Sequence, residues 1–100
     1  MVRRGYDLDM ATQAPITMYV TRWCGDCRMA KRVLDGHGIA YDAIDIADDD
    51  DARDFVVRVN GGYKSVPTIV LPSQRILVEP SRWELESALR SEGLVEARPG

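Results

Sequence analysis

The chain is poor in the residues from which most metal and nucleic-acid chemistry is built. Among its 100 residues there are two cysteines and one histidine. Tetrahedral zinc takes about four ligands, so a closed intramolecular zinc site lacks its donor set, and His37 reads as a helix-end residue. An excess of positive charge is also missing. Thirteen Lys and Arg stand against sixteen Asp and Glu, a net charge of -3, which argues against a dedicated nucleic-acid surface. No apolar run approaches the roughly 20 residues of a membrane-spanning helix. Arg3 and Arg4 are followed by no apolar segment, so neither a secretory signal nor an anchor is read at the N-terminus, and a cytoplasmic location is expected. Repeats, low-complexity stretches and phosphate-cradling glycine loops are absent. A chain of this length builds one domain around one modest core.

Both cysteines fall in one stretch, Trp23-Cys24-Gly25-Asp26-Cys27, where a β-branched apolar run gives way to a helical pattern. A sulfur at a helix N-terminus meets unsatisfied N–H groups and the positive end of the helix dipole, both of which stabilise an anion. Cys24 is therefore the expected nucleophilic thiolate. Cys27, one turn on and on the inward face, is the expected resolving thiol. Without a secretory signal, such a pair reads as redox-active or metal-binding, not as a structural disulfide. Asp26 places a negative charge beside the thiolate, which disfavours it and makes the pair more reducing. Arg22, Arg28, Lys31 and Arg32 surround the motif; most read as a solvated helix face, and Arg22 is singled out as a substrate contact.

In chain order, residues 1–13 show no periodicity and read as a disordered leader. Ile16 to Thr21 is a buried central strand. Cys27, Ala30, Val33 and Leu34 then recur at helical spacing up to Gly36 and Gly38. Ile39 to Ile46 reads as a second strand, giving a right-handed parallel βαβ unit. Asp48 to Asp51 lack the alternation, central glycine and terminal glutamate of a calcium loop. They open a second helix, where acids suit the dipole, and Asn60-Gly61-Gly62 closes it. Ser65-Val66-Pro67-Thr68 precedes the apolar run Ile69 to Leu71, and a proline there suggests a cis bond at Val66-Pro67. Arg75 to Val78 completes an antiparallel hairpin. Ser81 and Glu84 have capping-box spacing and open a last helix that buries Leu85, Ala88 and Leu89. The domain is placed at 14–93 and a frayed tail at 94–100.

This β-α-β-α-β-β-α order, with Cys-x-x-Cys opening the first helix and Val66-Pro67-Thr68 opening the third strand, resembles the thioredoxin superfamily and, more closely, the glutaredoxins. The resemblance covers about residues 15 to 92. It implies an α/β, three-layer, thioredoxin-like fold with a four-stranded mixed sheet. It also implies thiol-disulfide oxidoreductase activity, with Val66 offering its backbone to the bound disulfide and Pro67 packing beside the cysteines. Glutaredoxins carry Pro-Tyr between their cysteines, where this chain has Gly25-Asp26. They also have a Gly-Gly segment and an Asp at the last helix, where this chain has Glu79-Pro80-Ser81. Trp23-Cys24-Gly25, Val66-Pro67-Thr68 and Pro80-Ser81 look more like the mycoredoxins, glutaredoxin-like proteins of bacteria that use mycothiol. That resemblance implies reduction of mycothiol–protein mixed disulfides, mycothiol as co-substrate and no tightly bound cofactor. A monomer is expected, with Arg22, Trp23, Val66, Pro67 and Ser81 contacting substrate and no nucleic-acid or membrane partner. Two other readings stay open: a dithiol redoxin reduced directly by a flavoprotein reductase, and a dimeric module sharing zinc or an iron–sulfur cluster.

Overall fold

The computed structural model describes residues 15–96; the expected leader and the last four residues of the expected tail lie outside them. The elements are β1 (Ile16–Val20), α1 (Gly25–Gly36), β2 (Tyr41–Asp45), α2 (Asp50–Val59), β3 (Thr68–Val70), β4 (Ile76–Val78) and α3 (Arg82–Ser91). The sheet order is β2-β1-β3-β4. Strand β1 runs parallel to β2, with Ile16 opposite Tyr41 and Val20 opposite Asp45. It runs antiparallel to β3, with Met18 opposite Ile69, and β3 pairs antiparallel with β4. This is the expected α/β fold with a four-stranded mixed sheet.

The period-two alternation of β1 divides the core between two faces. Ile16, Met18 and Val20 pack with Cys27, Ala30, Val33 and Leu34 of α1 and with Leu85, Ala88 and Leu89 of α3. On the opposite face Tyr19 joins Ile46, Ala52, Val56 and Phe55 beneath α2. The sheet therefore lies between one helix and a pair of helices. Cys27 is part of the larger cluster, so the helix that carries the second thiol is anchored by the core itself.

All three helices end by one device. A glycine with positive φ (Gly38, Gly61, Gly93) follows the cap. The next residue's N–H then reaches back five positions: Ile39 to Leu34 O at 3.0 Å, Gly62 to Val57 O at 2.8 Å, and Leu94 to Leu89 O at 2.9 Å. This is the Schellman closure, which satisfies carbonyls left over at the helix end. It moves two expected boundaries. The closure of α1 takes the Ile39 N–H, so β2 begins at Tyr41 and not at Ile39. Leu94 and Val95, placed in the tail by sequence, pack against the core beyond α3. At its other end β2 stops at Asp45; the Ile46 N–H still donates to Val20 O at 3.0 Å, but the chain turns there. Strand β4 begins at Ile76 because Arg75 closes the hairpin, its carbonyl accepting the Leu71 N–H at 2.9 Å.

Candidate active site

The parallel crossover delivers the end of β1 and the start of α1 to the same edge of the molecule. The chain turns through Arg22 and Trp23, and Cys24 is the N-cap of α1 with extended backbone (φ -105°, ψ 113°). Helix caps favour Ser, Thr, Asp or Asn; here a sulfur holds the position. Its Sγ accepts the Cys27 backbone N–H at 3.1 Å. On its other side the thiol faces the Val66 carbonyl at 3.8 Å. Cys24 is half-buried, so one face of the sulfur remains open to a partner.

Val66 is held by a clamp that sequence reasoning missed. Thr68 is fully buried; its hydroxyl donates to Ser65 O at 2.7 Å and accepts from Asn60 Nδ2 at 3.1 Å. Asn60 Nδ2 also donates to Val56 O at 2.9 Å. The end of α2 is thereby tied to the segment before β3, where the Val66–Pro67 bond is cis, as expected. The signal available in the sequence was a buried-strand threonine, which needs a partner.

Cys27 differs from Cys24 in its surroundings. It is 2 % exposed, and its thiol pKa is pushed up to about 12, first by burial and then by its hydrogen bond to Cys24. The charge on Cys24 raises it further, while a backbone hydrogen bond at Thr21 and the charge of Lys31 pull it down. At neutral pH Cys27 is therefore a protonated reserve. Lys31, four residues on from Cys27 and on its side of the helix, acts on the buried thiol through its charge, beyond the solvated-face role expected from sequence.

A cleft of about 300 Å³ opens beside the two sulfurs, lined in part by Arg22, Arg28, Lys31 and Asp45. Arg22 and Asp26 are exposed, and Trp23, next to the nucleophile, is 86 % exposed. Pro67 is buried. Ser81 is not among the residues of this cleft. It is the N-cap of α3, in a capping box: its Oγ accepts the Glu84 N–H at 3.0 Å, and Glu84 Oε1 accepts the Ser81 N–H at 2.7 Å. Its connection to the cysteines is indirect, through the Glu79 N–H, which donates to Pro67 O at 2.8 Å. The structure thus gathers Cys24, Cys27, Val66, Pro67 and Arg22, and leaves the Ser81 hydroxyl engaged in its helix cap. Among the described residues no three His, Cys, Asp or Glu side chains converge as a metal site, and no helix is long and apolar enough to cross a membrane.

A thiol capping the helix of a parallel βαβ unit, faced by the residue before a cis-proline, defines a dithiol redox domain of thioredoxin-like fold. The glutaredoxin family model matches residues 16–76. A candidate glutaredoxin of Mycobacterium tuberculosis is 41% identical over 76 residues, covering 76% of this chain and 90% of the relative. Mycoredoxin 1 of Corynebacterium glutamicum is 43% identical over 54 residues, covering 54% of this chain and 66% of that protein. Among solved structures, a variant of the thioredoxin-like protein BC3987 superposes with a TM-score of 0.65 at 26% identity, covering 74% of this chain and 97% of its own. A glutaredoxin from Archaeoglobus fulgidus does so with a TM-score of 0.62 at 18% identity, covering 86% and 99%, a likeness of fold alone. The chain belongs to the glutaredoxin family, whose general activity is thiol-disulfide oxidoreduction.

Proposed function

We propose that the protein reduces mixed disulfides between mycothiol and protein thiols, with Cys24 as nucleophile and Cys27 as resolving thiol. The observation that carries this reading is the asymmetry of the two sulfurs. One is half-open and solvated by a helix N–H; the other is buried and protonated. The likeness to Mycoredoxin 1 supports the choice of small thiol.

In the first step the Cys24 thiolate attacks the mycothiol sulfur. The Cys24–mycothiol bond forms, the substrate disulfide breaks, and the protein thiolate leaves and takes a proton from water. A second mycothiol thiolate then attacks the mycothiol sulfur of the adduct, releasing Cys24 as thiolate and forming mycothiol disulfide. Alternatively Cys27 attacks the Cys24 sulfur, forming the intramolecular disulfide and releasing mycothiol. Capping Cys24 removes its charge, one of the causes that raise Cys27, while the Lys31 charge stays. Cys27 thus gives up its proton more readily once there is an adduct to resolve. The enzyme is read as a monomer acting in the cytoplasm without a tightly bound cofactor.

The test is turnover of one peptide carrying either a mycothiol or a glutathione mixed disulfide, each supplied with its own thiol and reductase. Preference for mycothiol by about tenfold or more in kcat/KM is expected, a difference of about 1.4 kcal/mol in transition-state binding. Equal rates or a preference for glutathione would overturn the proposal.

A further inference from the structure

The strand register accounts for the cleft beside the cysteines. Strand β2 is an edge strand. Its Ala43 and Asp45 pair with Met18 and Val20 of β1, so they share the sheet face that α1 covers. At Ala43 that face carries only a methyl group, which leaves about 300 Å³ between the sheet edge and the first two turns of α1. The space is at the lower end of the roughly 300–1,000 Å³ of ligand sites and suits side chains of a partner.

The charge of this cleft runs against that of the chain. The whole molecule stands at -3, yet Arg22, Arg28 and Lys31 meet here with a single carboxylate, Asp45. Asp45 Oδ1 already accepts the Ala47 N–H at 2.8 Å, and none of the three cations lies in an ion pair among the described residues. Asp26 does not offset them: it does not line the cleft, and at about 100° per residue it stands about 200° round α1 from Arg28. Three positive charges against one negative, gathered in a concave site, favour an anion.

The position of the cleft narrows what that anion belongs to. Cys24 lies between two flanks. On one, β3 follows Val66, whose carbonyl lies 3.8 Å from Cys24 Sγ; the cationic cleft is on the other, toward β2. What fills it therefore arrives attached to the disulfide that Cys24 attacks. Mycothiol carries no carboxylate, so the negative charge comes from the protein half. At 1.5 Å per residue, Arg28 and Lys31 stand about 6 and 10 Å along α1 from Cys24, a span that an extended peptide covers in two or three residues.

We propose that the cleft between α1 and β2 receives acidic side chains of the protein substrate, two or three residues from the cysteine that carries the small thiol, and so selects mixed disulfides in acidic sequence. This inference rests on the mycothiol reading above and adds which protein cysteines are preferred.

The experiment compares two peptides that carry the same mycothiol mixed disulfide and differ only in the residues two and three positions from it, glutamates in one and lysines in the other. At an ionic strength of about 0.02 M the wild type should favour the glutamate peptide by about tenfold or more in kcat/KM, and about 0.5 M salt should bring the ratio down to about twofold. Arg28→Glu should lower the low-salt ratio by about fivefold, whereas Arg28→Lys should keep it. Because the ratio is taken within one protein, a general loss of activity does not imitate the effect. Equal kcat/KM for the two peptides, a ratio that salt does not change, or a ratio that survives Arg28→Glu would overturn the inference. The two failures are distinguishable. Turnover of neither peptide would sink the functional reading and this inference with it, whereas turnover without a charge preference would sink this inference alone.

Discussion

Cys24 Sγ accepts the backbone N–H of Cys27 at 3.1 Å, so the helix turn that carries the second thiol also solvates the first. One short stretch of backbone thereby treats two identical side chains differently. The sulfur at the cap gains an N–H and the helix dipole. The sulfur one turn later gains the core, where burial holds its proton.

The difference should be visible in alkylation. With the Cys27 thiol pushed up to about 12 and the side chain 2 % exposed, a small alkylating reagent at pH 8 should label Cys24 and spare Cys27. Peptide mapping of the reduced native protein checks this; comparable labelling of both residues would contradict it.

Cys27 also makes stability depend on pH. In the unfolded chain its thiol releases its proton near 9, and in the native state near 12. Between those values the native state holds more protons than the unfolded one, so stability falls as pH rises, by up to about 1.4 kcal/mol per pH unit. Below 9 the contribution is fully present. Reduced wild type should therefore lose about 1 kcal/mol more than Cys27→Ala between pH 8 and 10 in urea unfolding. Identical losses would remove burial as the cause.

The Thr68 clamp should couple stability to activity. Thr68→Val keeps the shape and deletes the hydroxyl that joins Ser65 O to Asn60. Leaving buried polar groups unpaired costs about 1–3 kcal/mol. Turnover should fall as well, because the segment holding Val66 against Cys24 loosens. A stable variant with normal kinetics would show that the clamp is not needed to place Val66.

Ser81→Ala should lower stability by about 1 kcal/mol, the usual cost of deleting an N-cap. Since its hydroxyl already accepts the Glu84 N–H at 3.0 Å, KM for the mixed disulfide should hold. A raised KM with unchanged stability would instead give Ser81 the substrate-contacting role expected from sequence.

Much of this was legible in the sequence because each signal had a local cause. The β-branched run before Cys24, the helical spacing of Ala30, Val33 and Leu34, the Ser81–Glu84 box and the proline after Val66 each specify their own stretch of backbone. The less legible features depend on contacts between distant segments. Ile39 alternates well with Tyr41, yet its N–H is taken by Leu34 O, so α1 claims it before β2 can. Leu94 reads as tail because nothing nearby in sequence shows that Gly93 turns it back onto the core. The charge of Lys31 on Cys27 and the Thr68–Asn60 bond depend on helix rotation and on a return of the chain. The cationic cleft exists only once α1 and β2 lie side by side.

The central claim is that Cys24 alone carries the attack and that Cys27 only resolves. Its most direct measurement is turnover of Cys27→Ser on a mycothiol–peptide mixed disulfide, with mycothiol and its reductase supplied and Cys24→Ser run beside it. Cys27→Ser should remain active, because free mycothiol resolves the capped Cys24, while Cys24→Ser should be inactive. Complete loss of activity in Cys27→Ser would contradict the account, since it would mean that every turnover passes through the Cys24–Cys27 disulfide.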